Sequence, residues 1–421
     1  MECIGAYSSL SGKSSIRKGA EIKMKILIIN KFLYPRGGAE TYLLQIGQYF
    51  KKIGNEVEYF GMYDEKNIVG NSWDCYTTNV DFHTFSLKKF MYPFKIIYSI
   101  EARKRIRKVL DNFSPDIVHL NNINFQITPS IIDEIYKKKI PIIQTVHDSQ
   151  MVCPNHLMYH YRHKDVCNLC IKHTKWHCFF GKCIHGSYIK SLIGVIEALL
   201  YKYRKTYSKV KYFICPSFFM ENCLRQANIN KIIVMHNFIK DIKHDEGYLK
   251  EEYVLFFGRL SEEKGIRVFL NCVRKLPKIR FVVAGDGPLK ELCYNIENLE
   301  YVGFKRENEL NKLVEEALFS VYPSLCYENC PLSILESITL GTPVIVSNRG
   351  GIPELIENNL TGIVLEEVTE TCLMENIKML YYNREKLTFM TEQCRKKGMD
   401  FLTIKEYCEK LLCIYKKCIE T

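Results

Sequence analysis

Two glutamates, Glu328 and Glu336, with seven residues between them, stand in the stretch SLCYENCPLSILESITLGTPVI. The first falls in a loop after a short apolar run. The second lies about a turn and a half into the helix that Pro331 is placed to start. A helix start presents free backbone N–H groups and a partial positive charge, a ready seat for phosphate. A carboxylate on either side of that seat suits hydroxyls flanking a diphosphate. That is the outline of a nucleotide-sugar.

Cations are spaced to serve the same ligand. LFFGRLSEEKGI places Arg259 just after a strand end and Lys264 five residues on. An arginine forks two oxygens and a lysine adds a point charge, so the pair suits a diphosphate; the plain alternative is two solvated surface charges. Gly37 and Gly38, in NKFLYPRGGAET, let backbone approach a ligand at the start of the next helix. Gly285 and Asp286, in VVAGDGPLKE, repeat the strand-then-glycine theme, as a nucleotide border or a plain turn. His147 and Asp148 end another strand. A histidine there can donate to a phosphate or a sugar hydroxyl, or be structural.

Cysteines and histidines crowd the segment that follows. Cys167 and Cys170 have metal-ligand spacing, and with Cys153 and Cys183 they make a four-thiolate set for structural zinc; free buried thiols, Cys178 among them, are the other reading. Residues 82–110 mix aromatics with eight Lys and Arg. They fit either a helix on an anionic bilayer surface or a solvated face over a packed one.

These residues need elements to hold them. Strands are expected at 26–30, 57–61, 117–120, 142–146, 212–216 and 232–235. After a polar break they recur at 254–258, 280–284, 299–302, 318–322, 344–347 and 362–365. Continuous apolar runs separated by helical stretches read as buried parallel strands with helical crossovers. Two such series predict an α/β chain of two doubly wound, Rossmann-like parallel-sheet domains facing across a cleft. The first domain is expected over residues 24–238 plus 403–421, taking in a closing helix at 404–419. The second is expected over 245–402. Residues 1–23 read as an extension outside the fold.

The chain carries 59 Lys and Arg against 47 Asp and Glu, for a net charge of +12. Residues 1–240 hold 35 of the basic and 18 of the acidic residues, giving +17; residues 241–421 hold 24 and 29, giving −5. A basic half beside an acidic one points to an anionic surface, or to a genome rich in lysine codons. No apolar run reaches the roughly 20 residues of a membrane span. Eighteen cysteines without a secretion signal fit a reducing cytosol.

Together, YENCPLSILES, FGRLSEEKG, GDGP, GGAE and VHD…CP resemble the retaining glycosyltransferases of family four, over about residues 24 to 415. The resemblance implies the two-domain GT-B fold, with the last helix crossing back to the first domain. It implies that Glu328 holds the donor sugar, Glu336 the ribose, and that Arg259 and Lys264 neutralise the diphosphate. Backbone N–H groups near Asn329, Cys330 and Leu332 would assist, Gly37 and Gly38 would line the phosphate side, and His147 would sit beside the sugar. The insert after Asp148 looks like that of bacterial surface-polysaccharide enzymes. An acceptor on a lipid carrier, at the inner face of the cytoplasmic membrane, follows from that likeness. A UDP-sugar donor is expected over a GDP-sugar, with no cofactor needed for catalysis. A sugar-nucleotide epimerase on a similar scaffold is the rival reading, and nucleic-acid binding is a distant third.

Overall fold

Runs of buried aliphatic side chains become strands, and the helically periodic stretches between them become crossovers. The computed structural model describes residues 23–79, 92–160, 162–240 and 250–420; the N-terminal extension lies outside them, apart from residue 23. In the first half the strands are β1 (Lys25–Ile29), β2 (Glu56–Phe60), β3 (Ile117–Leu120) and β4 (Ile142–Thr145). A small antiparallel hairpin follows, β5 (Tyr159–His160) and β6 (Asp165–Val166), and then β7 (Tyr212–Cys215) and β8 (Ile232–Val234). All but the hairpin form one parallel sheet in the order β2-β1-β3-β4-β7-β8. The helices here are α1 (Gly38–Lys52), α2 (Tyr92–Ile97), α3 (Ile100–Phe113), α4 (Ser130–Lys137), α5 (Leu169–Lys172), α6 (Trp176–Phe180), α7 (Tyr188–Tyr203) and α8 (Phe218–Gln226).

The second half repeats the plan. Its strands are β9 (Tyr253–Phe257), β10 (Arg280–Ala284), β11 (Leu299–Gly303), β12 (Phe319–Tyr322), β13 (Val344–Ser347) and β14 (Gly362–Leu365). They pair in parallel in the order β11-β10-β9-β12-β13-β14. Its helices are α9 (Ile266–Lys275), α10 (Glu307–Glu316), α11 (Leu332–Thr339), α12 (Glu370–Tyr382) and α13 (Arg384–Gly398). All twelve expected strands are present, each end within one residue of its expected place. The fold is the expected pair of α/β domains.

Strand order reverses between β1 and β3 in one sheet and between β9 and β12 in the other. Parallel sheets open a crevice at the carboxyl side of such a reversal. The loops after β1, β9 and β12 carry Gly37 and Gly38, Arg259 and Lys264, and Glu328 respectively. Topology alone therefore gathers the candidate residues at the two switch points.

The final helix, α14 (Ile404–Glu420), crosses back onto the first domain. Tyr407, Leu411 and Tyr415 are fully buried in its core. The Tyr407 and Tyr42 hydroxyls lie 2.9 Å apart, and the Tyr415 hydroxyl is 2.6 Å from His119 Nδ1. His119 Nε2 in turn meets Thr145 Oγ1 at 2.7 Å. Because each buried polar atom has a partner, the helix is fixed in one register.

The basic, aromatic stretch at 82–110 turns out differently from a bilayer-facing helix over its second part. α3 buries Ala102, Ile106, Val109, Leu110 and Phe113, and Arg103 and Arg107 both pair with the buried carboxylate of Glu134. Residues 80–91 lie outside the described part. Among the described residues no helix is long and apolar enough to cross a membrane.

Candidate active site

The loop after β9 meets the loop after β12. Gly265 sits at φ +75, and a Cβ there would stand 1.9 Å from the Pro323 carbonyl oxygen. Only glycine permits this approach. It brings Lys264 Nζ to 2.5 Å from Glu328 Oε1. Ser324 Oγ donates to the same oxygen at 2.8 Å, and the Cys326 thiol reaches it at 3.7 Å. Burial, reinforced by the Glu328 charge, pushes that thiol up to about 12, so it stays a neutral donor. Burial works against the Lys264 charge, but the Glu328 carboxylate holds its pKa above the ordinary value. The Glu328 backbone is pinned from behind. Its carbonyl accepts from Gly351 N–H at 2.8 Å, and Gly350 passes at φ +66 where a Cβ would be 2.1 Å from that oxygen.

Arg259 is exposed, and its guanidinium makes no hydrogen bond or salt bridge among the described residues. The Gly285–Asp286 loop braces Arg259's own loop: Leu260 N–H donates to the Asp286 carbonyl at 3.0 Å. The Asp286 side chain is exposed, with Lys290 at 3.6 Å.

Two helix starts meet across the gap between the domains. Gly38 opens α1 and Leu332 opens α11, and a methyl placed on Gly38 would stand 3.8 Å from Leu332 Cδ1. First-turn N–H groups have no partner within their own helix, and each start carries partial positive charge. Two like ends so close call for an anion between or beside them. Glu336 lies one turn into α11, half-buried. Burial pushes its carboxyl up to about 7, against the pull of Lys240. Its carboxylate accepts no hydrogen bond among the described residues.

On the first-domain side, the His147 Nε2–H donates to Asn121 Oδ1 at 2.8 Å, and the ring stands edge-on to Tyr42. Burial drops its pKa to about 4 although Asp148 opposes the shift, so the ring is neutral near pH 7 with Nδ1 left as acceptor. Burial would raise the Asp148 carboxyl, but His156 holds it low.

Asn329 joins the two sides. Its amide nitrogen donates to the Val146 carbonyl at 2.6 Å, next to His147, and its carbonyl accepts from Ser217 Oγ. Asn237 Nδ2 donates to the Cys330 carbonyl at 2.7 Å. Asn329 and Cys330 were expected to offer backbone N–H groups; their contacts here tie the domains together.

The cysteine set does not converge as a metal site. Every described cysteine is a free thiol. Cys153, Cys167, Cys170 and Cys183 line a cavity of about 150 Å³ with His160 and His177. Among the described residues no group of three or more such side chains is arranged to hold a metal ion. Instead, the Cys153 thiol donates to Asn155 Oδ1 at 3.0 Å and the Cys170 thiol turns to the Lys175 carbonyl at 3.9 Å, so these two are aimed at protein acceptors rather than at a shared centre.

Several residues at the site were not foreseen. Glu354 accepts from both Phe218 N–H (2.8 Å) and Phe219 N–H (2.7 Å), capping α8 from the other domain, and lies 3.1 Å from His236 Nε2. Arg349 reaches Asp165 of the hairpin at 3.1 Å. The RGGIPE stretch does repeat the strand-then-glycine pattern, so a signal for Gly350 and Gly351 existed. Nothing local marks Glu354 or Asn121, whose partners are distant in sequence.

Comparison with known proteins accords with this geometry. Residues 238–397 match the description "Glycosyl transferases group 1", and residues 36–241 match "Glycosyltransferase Family 4". An uncharacterized glycosyltransferase of Methanocaldococcus jannaschii is 24% identical over 86% of this chain and 90% of its own. The amylovoran biosynthesis glycosyltransferase AmsK of Erwinia amylovora is 31% identical over 27% of this chain, which spans about a third (32%) of that relative. Among solved structures, HepE of Anabaena in complex with UDP and glucose aligns with a TM-score of 0.66, at 15% identity over 94% of this chain and 100% of its own. These likenesses do not favour the isomerase reading.

Proposed function

The chain is a family-4-like glycosyltransferase of the GT-B fold, and we propose that it moves a sugar from a UDP-sugar to a growing surface polysaccharide with retention of configuration. The observation that carries this reading is the Lys264–Glu328 pair on the β9 and β12 switch-point loops, beside the facing helix starts of α1 and α11. A diphosphate there meets Lys264, the unpaired Arg259 and first-turn N–H groups. Glu328 binds hydroxyls of the donor sugar, and Glu336 binds the ribose.

In the reaction the bond between the anomeric carbon and the β-phosphate oxygen breaks, leaving charge on the phosphate. Arg259, Lys264 and the α11 start stabilise that charge in place of a metal ion. The acceptor hydroxyl bonds to the same face of the carbon, and its proton passes to the departing phosphate oxygen. His147, neutral and held by Asn121, orients a sugar hydroxyl. The acceptor sits on a lipid carrier at the inner face of the membrane, reached through the basic first domain. Support comes from AmsK, a glycosyltransferase named for amylovoran biosynthesis.

The test is a thermal-shift screen against nucleotide-sugars, followed by transfer assays with chelator present and product anomers read by NMR. A folded-state ligand raises apparent stability. Epimer formation from donor alone, or an inverted product, overturns the reading.

A further inference from the structure

We propose that α6 and α7 form a docking face for an anionic lipid bilayer. The proposal rests on the lipid-linked acceptor reading above and names the surface that brings the enzyme to it. α7 spans 16 residues, roughly 24 Å. One face is buried against the protein by Ser191, Val195, Glu197 and Tyr201. Along the other, Ile189, Ile196 and Tyr203 recur every seventh residue and stand exposed, Ile189 at 73% and Tyr203 at 88%. Positions seven apart fall on one stripe of a helix.

α6 extends this stripe sideways. Phe180 is 71% exposed, and Trp176 and Tyr188 are exposed as well. All three rings contact Phe179, at centroid distances between 5.3 and 6.0 Å, so they form one patch. Lys182 Nζ sits 4.3 Å from the centre of the Tyr188 ring. Aromatic rings of this kind lie at the headgroup level of a bilayer.

Charge selects the occupant. Between Val166 and Met220 the only acidic residue is Glu197, which is buried, against nine Lys and Arg. Of these, Lys172, Lys182, Lys190, Lys202 and Lys205 are exposed and meet no carboxylate among the described residues. An exposed apolar stripe edged with unpaired lysines matches an anionic bilayer, where apolar burial and charge attraction add. The same insert carries the hairpin whose Asp165 meets Arg349 of the second domain at 3.1 Å.

The experiment is flotation of the full chain with vesicles of phosphatidylglycerol and phosphatidylcholine, against phosphatidylcholine alone. The wild type should float with the anionic vesicles. Phe180→Ser/Ile189→Ser should lower partitioning about tenfold or more, with an unchanged unfolding midpoint. Lys182→Gln and Lys190→Gln should each cost about fivefold on anionic vesicles only. No flotation of the wild type, or equal flotation of the variants, overturns the proposal. So does a shift of the wild type from dimer to monomer on making Phe180→Ser/Ile189→Ser, which would assign the face to a second copy. Flotation needs neither donor nor acceptor, so a failure of sugar transfer leaves this result standing, and the reverse holds.

Discussion

Lys264 Nζ lies 2.5 Å from Glu328 Oε1, joining the two loops that flank the second sheet's switch point. The pair presets both groups for a donor whose sugar and phosphate each need one of them. Lys264→Ala and Glu328→Ala should each cut transfer by about a hundredfold or more, the usual size of a lost charge-stabilising group. Circular dichroism and unfolding midpoints should show a retained fold. Near-normal turnover in either variant would remove that residue from the mechanism.

Glu336 predicts opposite effects on stability and binding. Its folded pKa of about 7 lies above an unfolded value of about 4.3. The folded state therefore holds the extra proton in that window. The associated stability is complete below it, falls as pH rises, and is gone above about pH 7. Glu336→Gln should be more stable than wild type by roughly 1–3 kcal/mol above neutrality and equal to it in acid. Nucleotide binding, by calorimetry, should weaken in the variant. Tighter binding would sink the ribose role.

Glu354 caps a helix of the opposite domain through two backbone N–H groups. Glu354→Ala should cost about 1–2 kcal/mol and let the domains part. Small-angle scattering should then report a larger radius of gyration for the ligand-free variant. An unchanged radius would mean that Asn329 and Asn237 hold closure without it.

His119 is fully buried and neutral, its pKa lowered to about 3 by burial and by His147 nearby. Its folded value lies below an unfolded value of about 6.5, so its contribution is whole above pH 6.5 and drains as pH falls toward 3. The acid loss of midpoint should be shallower in His119→Gln. Tyr415→Phe, which strands His119 Nδ1, should cost about 1–3 kcal/mol at neutral pH. A Tyr415→Phe midpoint equal to wild type would show that the link between α14 and β3 contributes nothing.

Much of this protein is written locally. Twelve strands follow from continuous apolar runs, because a strand covered on both faces needs no polar alternation. α11 begins where Pro331 stands, since proline loses nothing at a helix start. Family motifs then named Arg259, Lys264, Glu328 and Glu336 as a set. What the chain alone left open was contact across distance. The capping of α8 by Glu354, the amide bridge of Asn329 to Val146, and the tyrosine–histidine chain under α14 join residues more than a hundred positions apart. The cysteines point the same way: CxxC spacing is compatible with metal, but in the folded insert the Cys153 and Cys170 thiols turn to Asn155 and to the Lys175 carbonyl instead. Local periodicity determines which elements form, because it reports burial. Which side chains meet depends on how those elements pack, and only the tertiary structure decides that.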